Sequence, residues 1–190
     1  RTNINLRTKL SRRYGLLNPI VASPMDTICE YDMALKMAQL GGVGCIHRFM
    51  SITHQCDIVE ELFSTIYGQG THTPGIAEQW GVMYDDWHTE IKAVPIMAAI
   101  GVQEEDKDRA LGLAESGANV LVIDVAHGDH QNVIDMLEWC KSQQRLQNVD
   151  IIAGNIATQS SAGTLIDAGA DGLRVGIGGG SLCTTRIKTG

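Results

Sequence analysis

The stretch Val120-Leu121-Val122-Ile123-Asp124-Val125 decides how the rest of the chain reads. Four apolar residues precede an aspartate, with no alternation of polar and apolar positions. A strand of that composition is buried on both faces, as in a parallel sheet covered by helices. Immediately downstream, Val133, Ile134, Leu137 and Trp139 recur at helical spacing, which predicts a helix over 129–142. One buried strand followed by one amphipathic helix is a βα unit.

The unit repeats in both directions. Short runs rich in Val and Ile mark strands at 19–22, 43–47, 94–100, 149–153 and 172–176. Helices are expected between them at 31–40, 51–66, 104–116 and 159–168, with Met33, Met37 and Leu40 forming the apolar stripe of the first. Ser51 suits an N-cap, and Gly41, Gly117 and Gly169 stand where helices should stop. Strand starts recur about every 25–30 residues, so the sheet is expected to be parallel with right-handed crossovers. One interval is longer. The surplus, 68–90, holds Trp80 and Trp87 and reads as an insertion after the second helix. A (βα)8 barrel and a doubly wound sheet both fit the alternation, and both gather function at the C-terminal ends of their strands.

Composition narrows the class. With 190 residues, 44% hydrophobic and 19% charged, the chain is compact and globular rather than disordered. The net charge is -7 and Lys and Arg are nowhere concentrated, so no nucleic-acid partner is expected. No apolar run approaches the ~18 residues of a membrane span, so no membrane partner is expected either. Five cysteines without a CxxC pair argue against a disulfide framework and for a reducing, cytoplasmic setting. No His, Cys and Asp cluster has the spacing of a structural zinc site. The chain opens on Arg1, so residues are expected to precede it.

The strand ends carry the chemistry. The chain has 21 glycines, above the usual share of about 7%, and many flank the strands. The most telling run is Gly176-Ile177-Gly178-Gly179-Gly180-Ser181-Leu182-Cys183, followed by Thr184-Thr185-Arg186. Glycine lets backbone groups approach a ligand closely, so this loop can cradle a phosphate or offer carbonyls to a cation. It is a poor dinucleotide fingerprint, because Ser181 stands at the last glycine position and no helix is expected after it. Cys183 sits in a polar loop near Arg186, whose charge favours a thiolate, which makes it a candidate nucleophile. Cys45 falls in a strand, and Cys56 and Cys140 on helices, where a thiol is packing.

Other strand-end residues are open to two readings each. Asp124 could accept hydrogen bonds from a ribose or serve as a loop or cap residue. His47 and His127 could be acids or bases, or simply be hydrogen-bonded in loops. Arg174, inside an apolar strand, needs an anionic partner, either a ligand or a protein carboxylate. Asn155 could read a base or ribose edge. Met25 follows a strand end and is the one methionine expected at a ligand rather than in the core.

In order along the chain, several motifs resemble the inosine-monophosphate dehydrogenase and guanosine-monophosphate reductase family. They are Asn5-Leu6-Arg7-Thr8-Lys9-Leu10, Ser23-Pro24-Met25-Asp26-Thr27, and Gly41-Gly42-Val43-Gly44-Cys45-Ile46-His47 with Met50-Ser51-Ile52. Asp124, Gly154-Asn155, Ala168-Gly169-Ala170-Asp171 and the loop ending in Cys183-Thr184-Thr185-Arg186 complete the match. The resemblance implies an α/β (βα)8 TIM barrel, of which about six units are visible. Residues 1–190 would then be a catalytic domain incomplete at its C-terminus, since such barrels typically need about 250 residues.

The resemblance also implies roles. Cys183 would add to C2 of the purine base, with Thr185 assisting. In the dehydrogenase, hydride then passes to NAD and water hydrolyses the remaining thioimidate. Ser23, Met25, Asn155 and Arg174 would line the nucleotide pocket, and Ser181 would bind the phosphate. Asp124 would hold the nicotinamide ribose, with Gly176 and Gly178 near the nicotinamide. Backbone carbonyls of Gly178, Gly180 and Cys183 would bind potassium (K+), and a homotetramer follows from the family. The run from Gly42 to His47 and the Ser-Pro-Met-Asp start favour the dehydrogenase, which oxidises IMP to XMP. Lys188-Thr189-Gly190 leans toward the reductase, which converts GMP to IMP with NADPH. So does the short 68–90, which stands in place of a paired cystathionine-β-synthase-type regulatory module. A non-catalytic nucleotide-binding homologue or fragment is the third reading.

Overall fold

The computed structural model describes residues 4–68, 76, 80, 94–180 and 183–189. Two short strands, β1 (Thr8–Lys9) and β2 (Gly15–Leu16), form an antiparallel hairpin. The βα units follow: β3 (Val21–Ala22) with α1 (Tyr31–Gln39), β4 (Val43–Ile46) with α2 (Ile52–Tyr67), and β5 (Met97–Ile100) with α3 (Glu105–Glu115). Then come β6 (Val120–Asp124) with α4 (Gln131–Ser142), β7 (Asp150–Ile156) with α5 (Gln159–Asp167), and β8 (Gly172–Val175) with α6 (Thr185–Thr189). All six expected strands and five expected helices are present. The sixth helix, α6, begins two residues after Cys183, where the sequence predicts none.

Strands β3 to β8 form one six-stranded sheet in sequential order, and every neighbouring pair is parallel. A doubly wound sheet reverses its strand order at a switch point; a barrel does not. The order therefore selects the (βα)8 barrel, with six of its units in this chain. Registers Cys45↔Met97, Met97↔Val120, Val120↔Asp150 and Ile152↔Gly172 fix which residues share the inner face. Cys45, Met97, Val122 and Ile152 line an apolar hollow of about 220 Å³ there.

The hairpin seals the N-terminal end of the sheet. Asp150, fully buried at the start of β7, accepts from the Ser11 hydroxyl at 2.6 Å, the Arg13 amide at 2.8 Å and Arg13 Nε at 2.6 Å. Beside it, Arg12 approaches Asp171 at 3.3 Å, and Asp171 also accepts from the Ile151 amide at 2.8 Å. A buried carboxylate is tolerable only when satisfied in this way.

Helix α1 corrects one expectation. Its buried stripe is Ala34 and Ala38, while Met33 and Leu40 are exposed. The cause is close approach: a Cβ on Gly44 of β4 would lie 2.8 Å from Ala34 Cα. At that separation only small residues fit between helix and strand. Of the insertion, Ile76 and Trp80 are described, and both are buried. Trp80 Nε1 donates to the Ala38 carbonyl at 2.9 Å, tying that segment to the end of α1. Among the described residues, no helix is long and apolar enough to cross a membrane.

Candidate active site

The loops at the C-terminal ends of the strands surround a cleft of about 760 Å³. The loop after β3 contributes Ser23 and Met25, the turn after β4 contributes Arg48 and Phe49, and the end of β6 contributes Asp124. Asn155 comes from β7 and Arg174 from β8. Gly176, Gly178, Gly180, Cys183 and Thr185 complete the wall. Ten of the residues singled out from sequence therefore meet in one place. The eleventh, Ser181, lies outside the described residues. His127 is not in the lining, and neither is His47, which is buried one residue before Arg48.

The glycine loop is open in the way a ligand loop must be. Gly176 has φ 121° and Gly178 φ 55°, left-handed conformations that favour glycine. A Cβ on Gly176 would meet nothing within 4 Å among the described residues, which leaves room beside the backbone there. The Gly180 carbonyl accepts from the Cys183 amide at 3.0 Å, closing the turn that brings the thiol forward.

Cys183 is the exposed cysteine of the five. Its Sγ lies 3.1 Å from Thr185 Oγ1, within hydrogen-bond reach for a thiol. Three of the other thiols, Cys29, Cys45 and Cys140, are disfavoured as thiolates by burial. Burial pushes Cys29 up to about 11 and Cys140 up to about 12, and burial raises Cys45 well above the ordinary value. Cys56 packs against Gly112, outside the cleft. Of the five, Cys183 is the thiol that is both exposed and in the cleft, where a nucleophile can meet a ligand.

Asp124 and Arg174 form an ion pair across the floor of the cleft. The sequence left the partner of Arg174 open between ligand and protein; the protein supplies it. Asn155 Nδ2 donates to the Gly176 carbonyl at 3.0 Å, which anchors the start of the glycine loop. Its other amide atom, Oδ1, is buried with no hydrogen-bond partner among the described residues.

Sequence reasoning gave no role to Arg48 or Phe49. Arg48 Nη2 approaches the Asp124 carbonyl at 3.5 Å, and the guanidinium lies 5.3 Å from the Phe49 ring centroid. The only available signal was their position directly after the β4 strand. Together the cleft offers a thiol, an adjacent hydroxyl, an ion pair, an exposed aromatic ring and a glycine loop. That set suits a flat, polar, anionic small molecule and covalent chemistry upon it.

Comparison with known proteins points the same way. The model of the IMP dehydrogenase / GMP reductase domain matches residues 1–190. An inosine-5'-monophosphate dehydrogenase of Aquifex aeolicus is 45% identical over 288 residues, covering 98% of this chain and 58% of that protein. A GMP reductase of Leishmania major is 31% identical over 296 residues, covering 100% of this chain and 60% of the relative. Among solved structures, a Cys-to-Ala variant of GMP reductase from Trypanosoma brucei superposes with TM-score 0.81 at 27% identity, covering 99% of this chain and 66% of that one. The same enzyme has been solved in complex with guanosine 5'-monophosphate, at TM-score 0.78 and 28% identity, covering 97% of this chain and 60% of that one. The chain spans between half and three-fifths of the length of the curated relatives it matches.

Proposed function

Because the chain belongs to the IMP dehydrogenase / GMP reductase family, we propose that its cleft performs nicotinamide-linked redox chemistry on a purine nucleoside monophosphate. The reaction proposed is that of the dehydrogenase, IMP to XMP. Two features support that branch: the 45% identity to the Aquifex dehydrogenase, and the sequence from Gly42 to His47.

One observation carries the proposal. The single exposed thiol, Cys183, lines the cleft with the Thr185 hydroxyl 3.1 Å away. The thiol proton passes to solvent, Thr185 Oγ1, 3.1 Å away, is placed to hydrogen-bond the sulfur, and Sγ forms a bond to C2 of the hypoxanthine ring as the C2=N3 double bond opens. The hydrogen on C2 leaves as hydride. NAD supplies the two-electron acceptor for that hydride when bound. Water then breaks the S–C2 bond of the thioimidate, giving XMP and restoring the thiol. Splitting the oxidation from the hydrolysis gives two lower barriers in place of one.

The other cleft residues bind and orient. Ser23, Met25, Asn155 and Arg174 form the nucleotide side. Ser181 is proposed for the phosphate. Asp124, held by Arg174, receives the ribose hydroxyls of the cofactor, and Gly176 and Gly178 leave room beside them for its ring. Potassium would be held by the carbonyls of Gly178, Gly180 and Cys183. The Gly180 oxygen accepts one hydrogen bond, from the Cys183 amide, and a carbonyl has a second lone pair to offer. The ion would fix the curvature of the loop that presents the thiol. A homotetramer, a cytoplasmic location and the reading of 68–90 as a stand-in for a regulatory module rest on family likeness.

A second reading has its own support. The likeness to Trypanosoma GMP reductase favours conversion of GMP to IMP, with NADPH oxidised and ammonia released. Mass spectrometry of the quenched reaction tests the proposal. With IMP and NAD, the peptide bearing Cys183 should carry the nucleotide adduct, and Cys183→Ala should bind IMP without turnover. Undiminished turnover in Cys183→Ala would overturn the mechanism.

A further inference from the structure

His47 is 1% exposed at the end of β4, one residue before Arg48 of the cleft, and no step above uses it. Both ring nitrogens are engaged. Nδ1 accepts from the Phe49 amide at 3.2 Å. Nε2 lies 2.9 Å from Glu30 Oε1 and 3.7 Å from Asp26 Oδ1. An amide N–H can only donate, so Nδ1 must carry the lone pair and Nε2 the proton. The ring therefore donates to Glu30.

The two partners sit on different loops, and both loops reach the cleft. Phe49 lines it directly, one residue after Arg48. Glu30 ends the loop that begins at Ser23 and Met25. That loop is tightly wound: the amides of Ile28 and Cys29 both donate to the Met25 carbonyl at 3.1 Å, and Thr27 has φ 60°. Glu30 is also the N-cap residue of α1, yet its side chain makes no capping bond. A carboxylate at that position ordinarily stabilises the helix start. Here it faces the imidazole instead.

Building on the nucleotide-binding reading above, we propose that His47 is a positioning residue: as its Nε2–H tautomer it clamps the Met25 loop, through Glu30, and the Phe49 turn, through Nδ1, into one rigid nucleotide-side wall. A cation is the competing occupant, because ligand atoms of Asp26, Glu30 and His47 all lie within 4.8 Å of one another. A metal would take the Nε2 lone pair and leave the proton on Nδ1. That proton would face the Phe49 N–H, donor against donor. The tautomer thus favours the clamp over a metal site.

The test uses Glu30, which is surface-exposed enough to alter without emptying the core. Nitrogen-15 NMR of the His47 ring should report a protonated Nε2 and a bare Nδ1; the opposite tautomer overturns the clamp. Calorimetric titration with IMP and with GMP should give a dissociation constant about tenfold weaker in Glu30→Ala, the low end for losing a hydrogen bond to a charged group. Glu30→Gln, whose amide oxygen still accepts from Nε2–H, should bind near the wild-type value. Equal loss in Gln and Ala, with binding strengthened by added zinc or manganese, would establish the metal instead. Unchanged binding in Glu30→Ala overturns the proposal. If the wild type binds neither nucleotide, the proposed function fails, and amide exchange then decides the clamp. Faster exchange at both Met25 and Phe49 in Glu30→Ala upholds it, and unchanged exchange overturns it.

Discussion

Asp124 on β6 and Arg174 on β8 pair across an entire intervening strand, over Gly154 of β7. The register aligns Asp124 with Gly154 and Gly154 with Arg174, so all three share the inner face. With no side chain on the middle strand, the guanidinium reaches the carboxylate directly. A Cβ on Gly154 would lie 2.6 Å from the Arg174 carbonyl oxygen and 2.7 Å from its Cβ.

Gly154→Ala should therefore force β7 and β8 apart and break the pair. Overpacking of this kind costs about 1–3 kcal/mol of stability, readable as a lower urea midpoint. Weaker cofactor binding should accompany it. A stable Gly154→Ala variant with intact cofactor affinity would mean that the pair does not depend on this gap.

Asp124→Ala should weaken the cofactor more than the nucleotide. Loss of a charged acceptor to ribose hydroxyls corresponds to about tenfold or more in KM. Steady-state kinetics with each substrate varied in turn gives the answer. A larger loss for the nucleotide would invert the two halves of the cleft.

The thiols should separate by reactivity and by pH. At neutral pH, iodoacetamide should label Cys183 ahead of the buried Cys29, Cys45 and Cys140. Burial raises Cys29 to about 11 and Cys140 to about 12, above the ordinary 9.0 of a free thiol. Their contribution to stability is complete below pH 9.0 and is lost as pH rises from there through 11 and 12, because the unfolded chain ionises first. Denaturation curves should show stability falling over that alkaline range, with a shallower fall in Cys140→Ala. A fall of equal slope would show that burial of this thiol is not its source.

Asp150→Ala should release the N-terminal hairpin. It removes the acceptor of three hydrogen bonds, one from a guanidinium, at a fully buried position. Breaking a buried ion pair from one side costs about 3 kcal/mol, which chemical denaturation can measure. An unchanged midpoint would mean that the hairpin contributes nothing to the sheet it covers.

How much of this was legible before the structure depends on whether the signal was local. The βα alternation was legible because each strand is buried on both faces and carries its own apolar run. The cleft residues were legible because they stand at strand ends, where either α/β architecture puts its ligands. What depended on neighbours in space was not. The strand and helix pattern by itself left barrel and doubly wound sheet both open, and it was the family motifs that pointed to the barrel. The Asp124–Arg174 pair requires the register of three strands. The Ala34 and Ala38 face of α1 follows from the absence of a side chain at Gly44, and periodicity alone favoured the methionines. Two-residue strands such as β1 and β2 carry no period at all, and α6 is too short to announce itself after a glycine loop.

The most direct test of the central claim follows, in the full-length protein, the absorbance of reduced cofactor with two substrate pairs, IMP with NAD and GMP with NADPH. The expected result is NADH formation in the first, abolished by Cys183→Ala. Oxidation of NADPH in the second with none in the first would assign the reductase instead, and silence in both would contradict purine redox chemistry at this cleft.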